Sequence, residues 1–343
     1  MKMEKKNLDW GNLGFGYMTT DYRYVANYKD GKWDDGALVT DPTVTLNECA
    51  GVFQYSQSCF EGLKAYTTED GHIVCFRPDL NASRMKDSCE RLEMPVFPED
   101  RFVDAVEQVV KANAAWVPPF GSGATLYIRP YMIATNAVIG VKPADEYQFR
   151  VFATPVGPYF KGGAKPITIK VSDFDRAAPH GTGHVKAGLN YAMSLHAIVT
   201  AHEEGYDENM YLDAATRTYV EETGGANFLF VTKDGKLVTP KSDSILPSIT
   251  RRSLVTIAEH LGYTVEHRPV KFTELKDFAE AGLCGTAAVI CPVGKVVGNG
   301  ETIEFPSGMK EMGPVLTKLY NTLRGIQLGT VEAPEEGWIR EIK

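Results

Sequence analysis

Long apolar runs are missing from this chain of 343 residues: nowhere do about 18 uninterrupted apolar residues occur, so no membrane-spanning helix is read from the sequence. The N-terminal stretch MKMEKKNLDWGNLGFGY has basic residues but no apolar segment behind them, so no export signal is read and a cytoplasmic protein is expected. No long lysine or arginine run offsets the net charge of -8, which argues against a nucleic-acid-binding surface. The 6 cysteines, Cys49, Cys59, Cys75, Cys89, Cys284 and Cys291, form no C-x-x-C pair and are expected as reduced, mostly buried thiols. His180 and His184 lack an acid-plus-histidine set at zinc spacing, so no metal site is expected. Internal repeats and low-complexity tracts are absent as well.

What is present is an ordinary globular composition, 43% hydrophobic and 23% charged, long enough for about two domains. Strands and helices are mixed, an α+β reading. GHIVCFRP and ATLYIRPYMIAT read as strands, and RFVDAVEQVVKANAAWV has apolar residues at helical spacing. PVGPYFKGGAK, residues 155–165, concentrates proline and glycine and reads as a linker between a domain of residues 1–154 and one of residues 166–343. In the second half PITIKVSDF reads as a strand and NYAMSLHAIVTAHEEGY as a helix ending near Gly205. TYVEETGGANFLFVTKDGKLVTP reads as a hairpin around Lys233, Asp234 and Gly235, and ILPSITRRSLVTIAEHLGY as a helix opened by Pro-Ser and stopped by Gly262. GTAAVICPV reads as a short buried strand and MGPVLTKLYNTLRGIQLG as a closing helix.

GTGHVKAGLNY, residues 181–191, sets Lys186 among glycines. It is a poor phosphate loop, because Val185 precedes the lysine and Ala187 follows it where that motif needs glycine before and Ser or Thr after. Another chemistry uses this lysine together with a carboxylate in VEETGGAN, a hydroxyl-bearing helix start in LPSITRR and an arginine in FRPDLNASR. Pyridoxal phosphate needs an amine for its aldehyde, an anion for its ring nitrogen, and helix N-termini with arginine for its phosphate.

The motifs FEGLKAY, FRPDLNASRM, LYIRPYMI, TPVGPYF, VKAGLNY, EETGGANFLF, LPSITRRSL and GTAAVICPV, in that order, resemble those of the branched-chain amino acid aminotransferases of the fold-type-IV pyridoxal-phosphate family. The resemblance runs from GFGYMTTD to the last helix and implies a smaller α/β N-terminal domain and a larger cofactor-binding domain with a pseudo-barrel sheet. It implies that Lys186 binds pyridoxal 5'-phosphate as an imine and then moves the substrate Cα proton. A free lysine, with a pKa about 10.4, would be charged at pH 7, and imine formation beside a cationic ring keeps the released amine neutral. Glu222 would face the ring nitrogen, with Glu221, its strand neighbour, expected in solvent because adjacent strand residues point to opposite faces. Tyr191 would bond the ring oxygen, and Arg84, Ile249, Thr250 and Thr286 would hold the phosphate.

For substrate, the resemblance implies apolar walls from Tyr55, Phe60 and Tyr127, with Arg129 and Tyr127 accepting the distal carboxylate of glutamate. Thr286 and Ala287 would bind the substrate carboxylate and Tyr159 would close over it. A homodimer is implied, with Ile139 and Val141 of one subunit reaching into the partner's site. The reaction so implied passes the amino group of L-leucine, L-isoleucine or L-valine to 2-oxoglutarate by a ping-pong route. An aminodeoxychorismate lyase or a D-amino acid transaminase would use the same fold, and a non-enzymatic phosphate binder would lack the lysine or the acid. Two departures stand out. Ala288 and Cys291 replace a redox C-x-x-C found in one branch, and Thr19 stands where relatives often place an aromatic at the pocket edge.

Overall fold

The computed structural model describes residues 4–158 and 164–343. The chain divides into two compact units: Met1–Tyr159 with Val185–Gly188 and Ile326–Lys343, and Phe160–His184 with Leu189–Gly325. Among the described residues no helix is long and apolar enough to cross a membrane.

The first unit runs β1 (Arg23–Lys29), β2 (Lys32–Trp33), β3 (Ala37–Val39), α1 (Gly51–Tyr55), β4 (Ser58–Phe60), β5 (Leu63–Thr67), β6 (Ile73–Phe76), α2 (Pro78–Arg91), α3 (Glu99–Ala112), β7 (Thr125–Ala134) and β8 (Tyr147–Val156). The strands form one antiparallel sheet in the order Ile339–Glu341, β6, β5, β7, β8, β1, β2, with β3 beside β1 and β4 beside β7. The helical spacing in RFVDAVEQVV places Phe102, Val106 and Val109 on the buried side of α3, where they share a core with Leu126, Ile128, Met132 and Phe149. Each such side chain contributes about 1.5 to 3 kcal/mol of burial. The pleat then leaves Tyr127, Arg129 and Tyr131 half-buried on the opposite face of β7. That face carries the chemistry described below. The chain end closes the sheet, with the Arg77 guanidinium 4.4 Å from the Trp338 ring centre.

The second unit carries β9 (Ile167–Val171), α4 (Gly188–Glu203), β10 (Glu208–Met210), β11 (Asn227–Thr232), β12 (Leu237–Pro240), α5 (Ile249–His260), β13 (Val265–Arg268), β14 (Phe278–Gly285), β15 (Val289–Gly298), β16 (Glu301–Glu304) and α6 (Pro314–Gln327). Its mixed sheet has the order β10, β9, β15, β14, β11, β12, β13, with β16 beside β15. Phe230 stacks on Phe228 and on Phe278 in its core, at 5.6 and 4.9 Å between ring centres. α5 starts as its sequence demands: the Ser248 hydroxyl accepts the Arg251 N–H at 3.1 Å, and the helix stops before Gly262, whose φ of 85° is left-handed. Two readings need correction. TYVEE is no regular strand and joins its neighbours by single bridges at Tyr219, Val220 and Glu222. The strand in GTAAVICPV begins only at Val289, because Thr286, Ala287 and Ala288 make the turn from β14. All six cysteines are free thiols, and all but Cys49 are buried.

Candidate active site

In the first unit Lys186 and Ala187 pair alongside the short strand β4. The Phe60 N–H donates to the Lys186 carbonyl at 3.0 Å, and Ala187 is bridged to Cys59. The Lys186 N–H donates to the Ser88 hydroxyl at 3.0 Å, and that hydroxyl donates to the Arg84 carbonyl at 3.0 Å. One serine of α2 thus fixes the backbone of both the lysine and the arginine. Lys186 Nζ lies 4.8 Å from the Phe60 ring centre and the Arg129 guanidinium 4.7 Å from it, so a single aromatic ring attracts two cations.

Arg84 is 6% exposed and grips Glu61 with a fork: Nε to Oε1 at 2.7 Å and Nη2 to Oε2 at 2.8 Å. Glu61 is fully buried and also accepts from Asn81 Nδ2 at 2.7 Å and the Gly62 N–H at 3.2 Å. Sequence reading quoted Glu61 within FEGLKAY but gave it no role; its partner lies 23 residues away on a helix, beyond any local pattern. Glu61→Gln is expected to lower the unfolding free energy by about 3 to 5 kcal/mol, the cost of leaving a buried charge without its counter-ion. Urea denaturation checks this, and an effect under 1 kcal/mol would remove Glu61 as the anchor of Arg84.

On β7 the alternation places Tyr127 and Arg129 side by side, and Arg129 Nη2 donates to Tyr127 Oη at 3.0 Å. Arg129 Nε is buried without a hydrogen-bond partner. Gly62 sets the position of the tyrosine, since a Cβ there would stand 2.2 Å from Tyr127 Oη. Tyr55 does not join this group. It is 39% exposed and its hydroxyl donates to the Ile139 carbonyl, which ties it to the loop bearing Ile139 and Val141, 81% and 86% exposed. A left-handed Ser56 ends α1 between Tyr55 and β4. Tyr159 lies outside the described residues.

In the second unit Glu222 is 2% exposed. Its Oε1 accepts from Arg176 Nη1 at 2.9 Å and the Leu246 N–H at 2.8 Å, and its Oε2 from Asn227 Nδ2 at 2.7 Å. Burial pushes its carboxyl up to about 7, although Arg176 and the Leu246 N–H work the other way. Glu221 overturns the expectation of a solvent position: it is 5% exposed and accepts from the Ser242 hydroxyl at 2.6 Å. The loop from Lys241 to Ser248 supplies partners to both glutamates, so both faces of this segment are covered. Arg176 was missed. Nothing local marks it, as it acts through a buried ion pair and through the Gly183 carbonyl at 3.1 Å.

The Lys186 loop is held by Asn190, whose Nδ2 donates to the Thr182 carbonyl at 2.7 Å. Gly183 is required there, because a Cβ would meet the Ser244 carbonyl oxygen at 2.2 Å. Tyr191 stands half-buried in the first turn of α4. At α5 the Ser248 cap uses the Arg251 N–H, so the N–H groups of Ile249 and Thr250 are the ones left at the helix start, an anion-binding arrangement. β11 pairs with β14 with Asn227 opposite Cys284. The partner of Glu222 and the half-buried Thr286–Ala287 turn therefore share one end of this sheet.

The sequence profile of the family described as amino-transferase class IV matches residues 58–296. The chain is 53% identical to the branched-chain-amino-acid aminotransferase of Haemophilus influenzae, over 98% of this chain and 100% of the relative. Its fold is similar to the crystal structure of the branched-chain amino acid aminotransferase of Escherichia coli, with a TM-score of 0.79 and 28% identity over 94% of this chain and 100% of that one. It is also similar to the holo form, with PLP, of the branched-chain amino acid aminotransferase from Thermobaculum terrenum, with a TM-score of 0.79 and 25% identity over 95% and 99%.

Proposed function

The chain belongs to the amino-transferase class IV family, and we infer from this premise and from its site that it is a branched-chain amino acid aminotransferase. It passes the amino group of L-leucine, L-isoleucine or L-valine to 2-oxoglutarate, giving the branched 2-oxo acid and L-glutamate. The observation that carries the reading is Glu222, a buried carboxyl pushed up to about 7 while still facing Arg176. Such a group gains from a further cationic N–H, which is what a protonated pyridine nitrogen offers. Pyridoxal phosphate, when bound, supplies an aromatic ring that stabilises the charge left when a Cα proton departs.

The chain's own residues do the rest. Lys186 holds the cofactor and carries the proton between carbon atoms; Tyr191 sets the electronics of the ring oxygen. Arg84, pre-oriented by Glu61, binds phosphate with Ile249, Thr250 and Thr286. Phe60 and Tyr127 favour branched aliphatic chains by about 0.8 kcal/mol per buried methylene, and Arg129 accepts a distal carboxylate. Thr286 and Ala287 orient the substrate carboxylate. We further infer a cytoplasmic homodimer. Support comes from Ile139, Val141 and Tyr55, an exposed apolar set that a single chain leaves uncovered, and from Met193, Leu195 and Val199, exposed on α4. A panel of L- and D-amino acids with 2-oxoglutarate tests the reading: turnover of all three branched L-substrates is expected, and turnover of D-alanine without L-leucine would overturn it in favour of a D-amino acid transaminase.

A further inference from the structure

The face of β7 that bears Tyr127 and Arg129 continues to Tyr131, and there the first unit has a cavity of about 490 Å³. Arg150 lies directly opposite Tyr131 on β8, and Arg23 begins β1; both line the cavity. Tyr17 and Phe152 add aromatic walls, with their ring centres 5.7 Å apart, and Thr19 completes that side. The two arginines are 3% and 7% exposed. Buried guanidinium groups ordinarily have a counter-charge, because an uncompensated one is costly. Among the described residues neither has an ion-pair partner.

Their bonds go to neutral oxygens instead. Arg23 donates to the carbonyls of Thr20, at 3.1 Å, and Thr40. Arg150 donates to Gln148 Oε1 at 3.2 Å and the Thr43 carbonyl at 3.4 Å. The nearest carboxylates are already engaged on the surface: Asp41 accepts from the Thr43 N–H and hydroxyl, and Asp21 from Trp116 Nε1 and Lys6. Two positive charges and a phenol therefore line a half-open cavity whose wall holds no carboxylate; Asp41 and Asp21 act on the arginines only from outside it.

We propose that this cavity binds a small organic carboxylate, held by Arg150 and Arg23 with the Tyr131 hydroxyl, apart from Arg129 and from the residues assigned to the cofactor. A planar guanidinium matches a carboxylate through two parallel N–H bonds, and the aromatic walls favour a carbon skeleton over an inorganic anion. The carboxylate is either the distal end of a dicarboxylic substrate, in which case this site takes the role given above to Arg129, or a separate molecule. Its binding does not depend on the reaction assigned above.

Calorimetric titration of the holoenzyme with succinate tests the site, with Arg129→Leu as background so that Arg129 does not contribute. Binding is expected in Arg129→Leu and at least tenfold weaker in Arg129→Leu/Arg150→Leu. Loss of binding in Arg129→Leu alone, or equal affinity in the double variant, overturns the proposal. Inorganic phosphate is expected to bind more weakly than succinate, and equal or tighter binding overturns the choice of a carboxylate. Should Arg150→Leu fail to fold, Arg150→Lys in the same background keeps the charge and loses the fork; about fivefold weaker binding supports the site and unchanged affinity overturns it. Kinetics of Arg150→Lys then separates the sources. A raised KM for 2-oxoglutarate with an unchanged KM for 4-methyl-2-oxopentanoate identifies the substrate's own carboxylate. An effect of succinate on the rate of that second reaction, lost in the variant, identifies a separate ligand; a variant that shows neither change overturns the site.

Discussion

Lys186→Ala is expected to lower kcat/KM for L-leucine by about 10⁴-fold, the upper end of what a positioned general base contributes. That corresponds to about 5 kcal/mol of transition-state stabilisation. The substitution spares two structural bonds made by the lysine's backbone: its N–H donates to Ser88 and its carbonyl accepts from Phe60. Alanine keeps both. The variant should therefore melt within a few degrees of the parent while losing the visible absorbance of a lysine-bound cofactor and the covalent adduct trapped by borohydride. Retention of a tenth of the activity with unaltered absorbance would show that the lysine neither holds the cofactor nor moves the proton. A folded but inactive protein is the result that assigns the loss to chemistry.

Glu222→Gln is expected to cost about 10² to 10³-fold in kcat, the range for removing one oriented charge from a reacting centre. Glutamine keeps the volume and can still accept from Arg176 and Leu246. Its amide can donate to Asn227 once that side chain turns, since Asn227 Oδ1 is buried without a hydrogen-bond partner. The same change has a pH signature in the cofactor-free protein. The carboxyl sits near 7 when folded against an ordinary 4.5, so between those values the folded chain binds the extra proton. Stability from this group is thus present below about pH 4.5 and lost as pH rises to about 7, an amount of about 3 kcal/mol. Glu208, also pushed up to about 7 by burial, adds a slope of the same sign, so the difference between parent and variant is the quantity to measure. Denaturant unfolding at pH 5 and pH 8 gives it; parallel curves would mean that Glu222 ionises normally.

Periodicity and caps made much of the fold legible. The apolar spacing of RFVDAVEQVV yielded α3, ATLYIRPYMIAT yielded β7, and the Ser248 and Gly262 signals bracketed α5. What escaped the sequence depends on partners far apart in the chain. Glu61 with Arg84, and Arg176 with Glu222, are buried ion pairs that no window of neighbouring residues contains. Glu221 failed for a related reason: strand alternation separates two faces but does not say whether a distant loop covers the second, and here Ser242 does. Tyr55 is a pocket wall only by resemblance; within one chain its hydroxyl goes to the Ile139 carbonyl, a contact that no sequence pattern announces. Motif order marked Lys186, Glu222 and Arg84, while the groups that hold them in place became visible only in three dimensions.

The first unit is assembled from three stretches, with Val185–Gly188 borrowed from the middle of the other unit's sequence and Ile326–Lys343 from the far end. A gene fragment cut at the linker would encode most of the first unit without Lys186, the amine proposed to hold the cofactor, and without the last strand of its own sheet. Recombination between relatives at that point would join the Lys186 loop to a docking strand that did not evolve beside it. Exchange of substrate preference between such enzymes is therefore a task for matched grafts at three positions, not for a single crossover.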